Sequence, residues 1–192
     1  MKKTEVVIVG GGPGGAATAI HLAKKGIKSI IVEKDLFPRF HIGESMTGEC
    51  GQSVRDLGLE AEMENVPKTI KWGVTVYGQS GTGTFWLPVM KRDENNELVK
   101  NFTWQVKRSD FDRIVLDKAV KDGAELVLGK ATKVLQKEDG TVYGVEVRLE
   151  DGEIETIEAD VLVDASGQTT FLSTTGIAGK KERGKYDRQL AI

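Results

Sequence analysis

The chain has 192 residues, 39% hydrophobic and 29% charged, with a net charge of -2. That is the profile of an ordinary soluble globular protein, long enough for one core or one core and part of another. The near balance of charge, with a pI of about 5.8, gives no field that would draw it to nucleic acid. A single cysteine, Cys50, excludes an internal disulfide framework and argues against a cysteine-built metal centre, so no metal site is expected. No stretch approaches the roughly 20 apolar residues of a membrane span. The apolar run Val6 to Val9 is too short for a secretory signal, so a cytoplasmic setting is expected. The 23 glycines point to tight turns and to backbone that comes close to a ligand.

In chain order, residues 5–9 form a continuous β-branched run, as in a strand buried on both faces of a parallel sheet. A glycine cluster follows, then a helix through Ala16, Ala19, Ile20 and Ala23 that closes at Lys24, Lys25 and Gly26. Residues 28–32 read as a second strand with Glu33 at its end. A loop runs from Lys34 to Glu49, and a helix is expected over roughly residues 47–57. Residues 69–77, 83–87 and 102–106 look like strands, with a charged turn over 91–97. Ser109 is expected to cap a helix through Phe111, Ile114, Val115 and Ala119, ended by Gly123. A short strand over 125–128 follows. Residues 131–136, 142–149 and 154–159 alternate between the turns Glu138-Asp-Gly140 and Glu150-Asp-Gly152, which predicts an antiparallel meander. One more buried strand, 161–163, leads into Asp164-Ala-Ser-Gly167. The charged stretch from Gly179 to Arg188 has no clear pattern.

Gly10, Gly12 and Gly15 fit the spacing G-x-G-x-x-G. The first permits the tight turn, the second lets backbone approach a pyrophosphate, and the third lets helix and sheet pack closely. Pro13, Gly14 and Ala16 open the helix, whose N-terminal N–H groups and dipole suit phosphate. Glu33 lies eighteen residues beyond Gly15, where a carboxylate accepts hydrogen bonds from a ribose; Lys34 follows it. A lone glycine fingerprint is weak, because such a turn often only joins two elements. Here it follows a strand, opens a helix and meets an acid, which specifies a dinucleotide site without deciding which dinucleotide.

The order of elements resembles the FAD domain of the aromatic-hydroxylase-like (p-hydroxybenzoate hydroxylase-type) flavoproteins. Val161-Leu-Val-Asp-Ala-Ser-Gly167 is similar to that family's second flavin turn, with Ser166 in place of the hydroxylases' acid. Three further segments resemble the flavin-dependent halogenase branch: Phe37-Pro-Arg-Phe-His-Ile-Gly-Glu-Ser45, Lys71-Trp-Gly-Val-Thr75, and Thr103-Trp-Gln-Val-Lys-Arg-Ser-Asp-Phe-Asp112. The resemblance implies an α/β, three-layer fold: a Rossmann-like FAD-binding domain of parallel sheet, helices and antiparallel β-meander, with an incomplete β-rich substrate-side insertion. It implies residues 1–70 and 100–178 for the FAD domain, 71–99 for part of the substrate-side layer, and 179–192 as a continuation cut short. It also makes the chain an N-terminal fragment of an enzyme more than twice its length.

FAD is the cofactor so implied. Beyond the glycine turn, Arg39, Ser45, Arg108, Ala131, Thr132, Asp164, Ala165 and Gly167 are expected around it. Lys71 is expected to be catalytic, guiding the oxidant made from halide; read locally, it is a solvated lysine on a strand. Arg39 and Ser45 have a plain alternative as a loop ion pair and a helix cap, and Glu44 is another candidate cap. His41 is expected to pack in its loop. Trp72, Trp86 and Trp104 belong either to a substrate face or to core. The leading function is a halogenase-type oxidoreductase acting on a small molecule with reduced FAD, O2 and halide. No second glycine fingerprint for a nicotinamide is present, in keeping with a separate flavin reductase. The rivals are a flavin monooxygenase, a geranylgeranyl-reductase-like enzyme, and an FAD-binding fragment without complete activity.

Overall fold

The computed structural model describes residues 1–180. They form two compact units, one of Met1–Arg39 together with the chain from Asp112 onward, the other of Phe40–Phe111. The second unit is wider than the 71–99 insertion expected from the sequence, and residues 181–192 of the expected continuation lie outside the described residues. The chain runs β1 (Lys2–Val9), α1 (Pro13–Ala23), β2 (Ser29–Glu33), α2 (Gly48–Asp56), β3 (Lys68–Lys71), β4 (Gly73–Tyr77) and β5 (Thr84–Pro88). It continues through β6 (Met90–Arg92), β7 (Leu98–Lys100), β8 (Thr103–Val106), α3 (Arg108–Lys121), β9 (Glu125–Leu128), β10 (Lys130–Gln136), β11 (Val142–Arg148), β12 (Ile154–Asp164) and α4 (Phe171–Thr174).

The first unit is built on a six-stranded sheet in the order β10-β11-β12-β1-β2-β9. β12, β1, β2 and β9 run parallel, with Val9 beside Asp164 on one side and beside Val32 on the other. Being paired on both edges explains why β1 is apolar at every inner position: Val6, Val7, Ile8 and Val9 are all buried. Gly15, Ala16 and Ala19 of α1 are buried too, small residues that let a helix lie close to a sheet, with Ile20 buried beside them. β10, β11 and the start of β12 make the expected meander. At its turns Asp139 and Asp151 each accept a hydrogen bond from the N–H two residues on, ahead of Gly140 and Gly152 in the left-handed region. Val134, Val145, Val147 and Ile157 join Val7, Val9, Ile30 and Val32 in one apolar cluster.

Residues 154–159 and 161–163, expected as two strands, are one. β12 pairs antiparallel with β11 over Ile154 to Glu158 and parallel with β1 from Ile157 to Asp164. Asp160 breaks the apolar pattern but is exposed, so it interrupts nothing. Val161 is exposed as well, so this end of the strand is not buried as expected.

In the second unit, the single strand expected over 69–77 is two, broken at Trp72. β3 pairs with β8 and β4 with β5, in separate ribbons. The expected charged turn over 91–97 is part of a hairpin, β6 with β7, whose tip Asp93 tightens by accepting hydrogen bonds from the N–H groups of Asn95 and Glu97. α2 is capped by Thr47, whose hydroxyl accepts from the Cys50 N–H, and not by Glu44 or Ser45. Ser109 does not cap α3 either. The helix already begins at Arg108, and the Lys107 carbonyl accepts from the N–H groups of Asp110 and Phe111. Among the described residues no helix is long and apolar enough to cross a membrane, and no group of three or more His, Cys, Asp or Glu is placed to hold a metal.

Candidate cofactor site and catalytic lysine

The glycine turn leaves the carboxyl end of β1, where open α/β sheets receive ligands. Gly10 has φ +110, and a Cβ there would stand 2.4 Å from the Ala165 carbonyl oxygen. At Gly15 a Cβ would stand 1.9 Å from the Gly10 oxygen. Both positions therefore exclude any side chain, for reasons internal to the fold. Gly12 and Gly14 differ: a Cβ at Gly12 would meet only Arg39 Nη2, at 3.6 Å, and one at Gly14 would meet nothing. Gly12 is the N-cap of α1 and makes no side-chain cap, while Pro13 occupies the first turn. The N–H groups of Gly14 and Gly15 have no acceptor within the helix. Ala16 turns inward and donates its N–H to the Gly12 carbonyl.

Glu33 ends β2 and is only 3% exposed. One carboxylate oxygen accepts from the Gly11 N–H at 2.7 Å, the other from the Asp35 N–H at 2.9 Å. A carboxylate has about four lone-pair sites, so each oxygen keeps acceptor capacity for a ligand. Gly11, which the fingerprint leaves as a free position, is what fixes Glu33. Arg39 lies 3.9 Å from the Glu33 carboxylate and stacks over Phe37, yet its buried Nε has no hydrogen-bond partner among the described residues. Lys34 is exposed and paired loosely with Asp35 at 3.8 Å.

The second turn leaves β12 directly beside the first, with the Ala165 N–H donating to the Val9 carbonyl. Asp164 shapes it. One carboxylate oxygen accepts from the Ser166 N–H and hydroxyl, and the other from the Leu172 N–H. Ser166 Oγ in turn accepts from the Phe171 N–H. The serine that stands where hydroxylases have an acid is thus a structural part of the turn. Gly167, at φ +62, is exposed. Ala131 and Thr132 lie on β10; Ala131 packs against the apolar cluster, and Thr132 donates to the Glu146 carbonyl.

The other expected residues belong to the second unit. Val106 N–H donates to the Glu44 carbonyl and Met46 N–H to the Trp104 carbonyl, with Ser45 bridging Gln105 between them. Residues 44–46 are thereby stitched to one edge of β8, while β3 holds the other edge with Lys71 opposite Thr103. Across β8, Lys71 Nζ donates to Ser45 Oγ at 2.8 Å and to the Met46 carbonyl at 3.1 Å. Arg108 Nη1 donates to the Ile42 carbonyl at 2.6 Å, tying down the start of the same loop. His41 is exposed rather than packed, its ring nitrogen near the Ile42 carbonyl. Trp104 is core, 2% exposed, against Phe102 and under the Arg55 guanidinium. Trp72 and Trp86 are 60% and 53% exposed. On α2, partial burial pushes the Cys50 thiol above its ordinary pKa, against a smaller opposing effect of Arg108.

The model of the FAD binding domain family matches residues 3–190. The chain belongs to this family. It is 45% identical over 191 residues to a 1H-pyrrole-2-carbonyl-[peptidyl-carrier protein] brominase of Pseudoalteromonas luteoviolacea, a match that covers 100% of this chain and 44% of the relative. A flavin-dependent halogenase of Acremonium egyptiacum is 30% identical over 195 residues, covering 90% of this chain and 33% of the relative. The solved flavin-dependent brominase Bmp2 superposes with a TM-score of 0.83 at 43% identity, over 93% of this chain and 42% of that one. The chain thus spans less than half the length of these relatives. The cofactor of this FAD-binding domain is FAD, and the residues present fit it. The backbone is open at Gly12 and Gly14, and the first N–H groups of α1 have no acceptor within the helix. Arg39, in loose ion pairs at 3.9 Å with Glu33 and Asp35, has a buried Nε without a hydrogen-bond partner among the described residues.

Proposed function

We propose that this chain is the FAD-binding portion of a flavin-dependent halogenase. The observation that carries the reading is the seat of Lys71. Two segments that separately resemble the halogenase branch, Gly43-Glu44-Ser45 and Lys71-Trp72-Gly73, meet through the ammonium. Chance resemblance of two unrelated stretches would not place them in hydrogen-bond contact.

Within this reading, the N–H groups at the start of α1 and the Arg39 guanidinium bind the pyrophosphate, and the free lone pairs of Glu33 receive the ribose hydroxyls. Residues 164–167 shape the second wall, with Ala131 and Thr132 on the adjoining meander. The chemistry FAD supplies when bound in its reduced form is the two-electron reduction of O2, which leaves an oxidising equivalent for halide. Lys71 offers an N–H that orients the oxidised halogen species toward a small aromatic substrate. By similarity to the brominase, that substrate is a pyrrole-2-carbonyl group carried on a peptidyl carrier protein. A separate reductase supplies reduced flavin, and the setting is cytoplasmic.

The test supplies the protein with reduced FAD, O2 and bromide and follows bromine incorporation into a carrier-bound pyrrole-2-carbonyl group by mass spectrometry. Bromide-dependent product that disappears in Lys71→Ala, with flavin absorbance retained, is the expected result. Unchanged turnover in Lys71→Ala removes the lysine from the mechanism, and absence of product with both bromide and chloride removes the halogenase reading.

A further inference from the structure

We propose that Ser45 is a positioning residue for Lys71, holding its ammonium in one place with the help of the Met46 carbonyl; the inference rests on the halogenase reading of Lys71. The geometry follows from register. β8 lies between the two partners, with Lys71 opposite Thr103 on one edge and Ser45 opposite Gln105 on the other. Thr103 and Gln105 are two residues apart, so the side chains of Lys71, Thr103, Gln105 and Ser45 fall on the same face of the ribbon. Strands one removed from each other are roughly 10 Å apart. A short side chain could not cross that span, whereas an extended lysine on one edge reaches a serine hydroxyl on the other. The hydroxyl sits in turn on backbone that hydrogen bonds anchor on both sides, at Glu44 and at Met46.

An ammonium has three donors. Ser45 Oγ and the Met46 oxygen take two, at 2.8 and 3.1 Å, and leave one N–H for a ligand. With the stem extended and two donors fixed, the direction of the third is fixed as well. A lysine without this dock would lose rotamer freedom each time it met the oxidised halogen. The sequence offers Ser45 as a flavin contact or a helix cap, but the cap belongs to Thr47 and the hydroxyl belongs to Lys71.

The experiment reads the chemistry of the Lys71 nitrogen without relying on turnover. The protein, with no flavin added, is reductively methylated with formaldehyde and a borane, and labelling of Lys71 is compared with that of Lys68, whose ammonium is held by Glu64. Ser45→Ala is expected to raise the Lys71-to-Lys68 ratio about fivefold, as loss of one hydrogen bond implies, while Ser45→Thr, which keeps the hydroxyl, leaves it at the parent value. Halogenation by the FAD-loaded protein should lose kcat in Ser45→Ala with FAD affinity unchanged, and Ser45→Thr should recover it. An unchanged labelling ratio in Ser45→Ala overturns the proposal. So does a loss of FAD affinity without a change in Lys71 labelling, which would make Ser45 a cofactor contact. If labelling responds but Lys71→Ala still halogenates, the dock stands and the halogenase role of the lysine falls.

Discussion

The glycines of the first turn are not equivalent, and alanine at Gly12, Gly14 and Gly15 should separate folding from cofactor binding. At Gly15 the added methyl would stand 1.9 Å from the Gly10 carbonyl oxygen, a distance real Cβ atoms do not reach. The obstacle is backbone, so no side-chain rotation relieves it, and α1 must move away from β1 by about 1 Å in a close-packed interior. Overpacking of this kind costs about 1–3 kcal/mol, and a backbone obstacle belongs at the upper end. For a chain of this size, about 3 kcal/mol lowers Tm by roughly 6–12 °C. At Gly12 the methyl meets only the end of Arg39, at 3.6 Å, so Gly12→Ala should change unfolding by no more than about 1 kcal/mol, the cost of a poorer N-cap. A phosphate oxygen seated on that backbone would be displaced, and loss of a charge-assisted hydrogen bond predicts a fall in FAD affinity of about tenfold or more. Gly14→Ala meets nothing and should leave stability unchanged or slightly improved. Urea unfolding of the apoprotein and flavin-fluorescence titration measure the two quantities separately. Gly12→Ala binding FAD as well as the parent would refute the idea that backbone at this point touches the pyrophosphate. Gly15→Ala with unaltered stability would refute the packing argument.

Glu33→Ala leaves the Gly11 and Asp35 N–H groups without their acceptor. Stranding buried donors predicts a loss of about 2–4 kcal/mol in urea unfolding, together with weaker FAD binding. Ser166→Ala removes the acceptor for the Phe171 N–H and a donor to Asp164. It should cost about 1–2 kcal/mol, read as a fall in the urea midpoint at unchanged slope. At the β10–β11 turn, hydrogen bonds from Thr141, its backbone N–H first, hold the Asp139 carboxyl below its ordinary pKa. Because the folded value is the lower one, the ionised form stabilises the fold above the unfolded pKa, and that contribution is lost as pH falls through the folded value. Tm of the parent should therefore drop more steeply on acidification than Tm of Asp139→Asn, which keeps the turn acceptor at every pH.

The parallel core and the first turn were legible because their signals are local. A both-sided apolar strand, a glycine turn and an acid at fixed spacing are all contained in residues 5–33. The meander was legible for the same reason, since Asp139-Gly140 and Asp151-Gly152 mark its corners. Errors arose where pairing overrides local pattern. Asp160 looks like the end of a strand, yet β12 passes through it, because β1 pairs with the chain on both sides of that residue and the carboxylate faces solvent. Lys91 and Arg92 look like part of a loop, yet they pair with Leu98 and Val99. Ser109 is a good cap type, but the Lys107 carbonyl had already started the helix. The site divides along the same line. Gly10, Gly12, Gly15 and Glu33 could be proposed as site residues from spacing alone. The grip of Ser45 on Lys71 depends on both being paired to β8, a long-range register that no local window contains.

Asp164 and Ser166 bond to each other and to the N–H groups of Phe171 and Leu172. The second turn is therefore moulded by the chain's own groups. Little ordering entropy remains for binding to consume. On the proposed reading, in which a separate reductase supplies the flavin, this has a kinetic meaning: at this turn cofactor uptake can proceed as one bimolecular encounter. On that reading flavin circulates between the two proteins as a diffusible electron carrier.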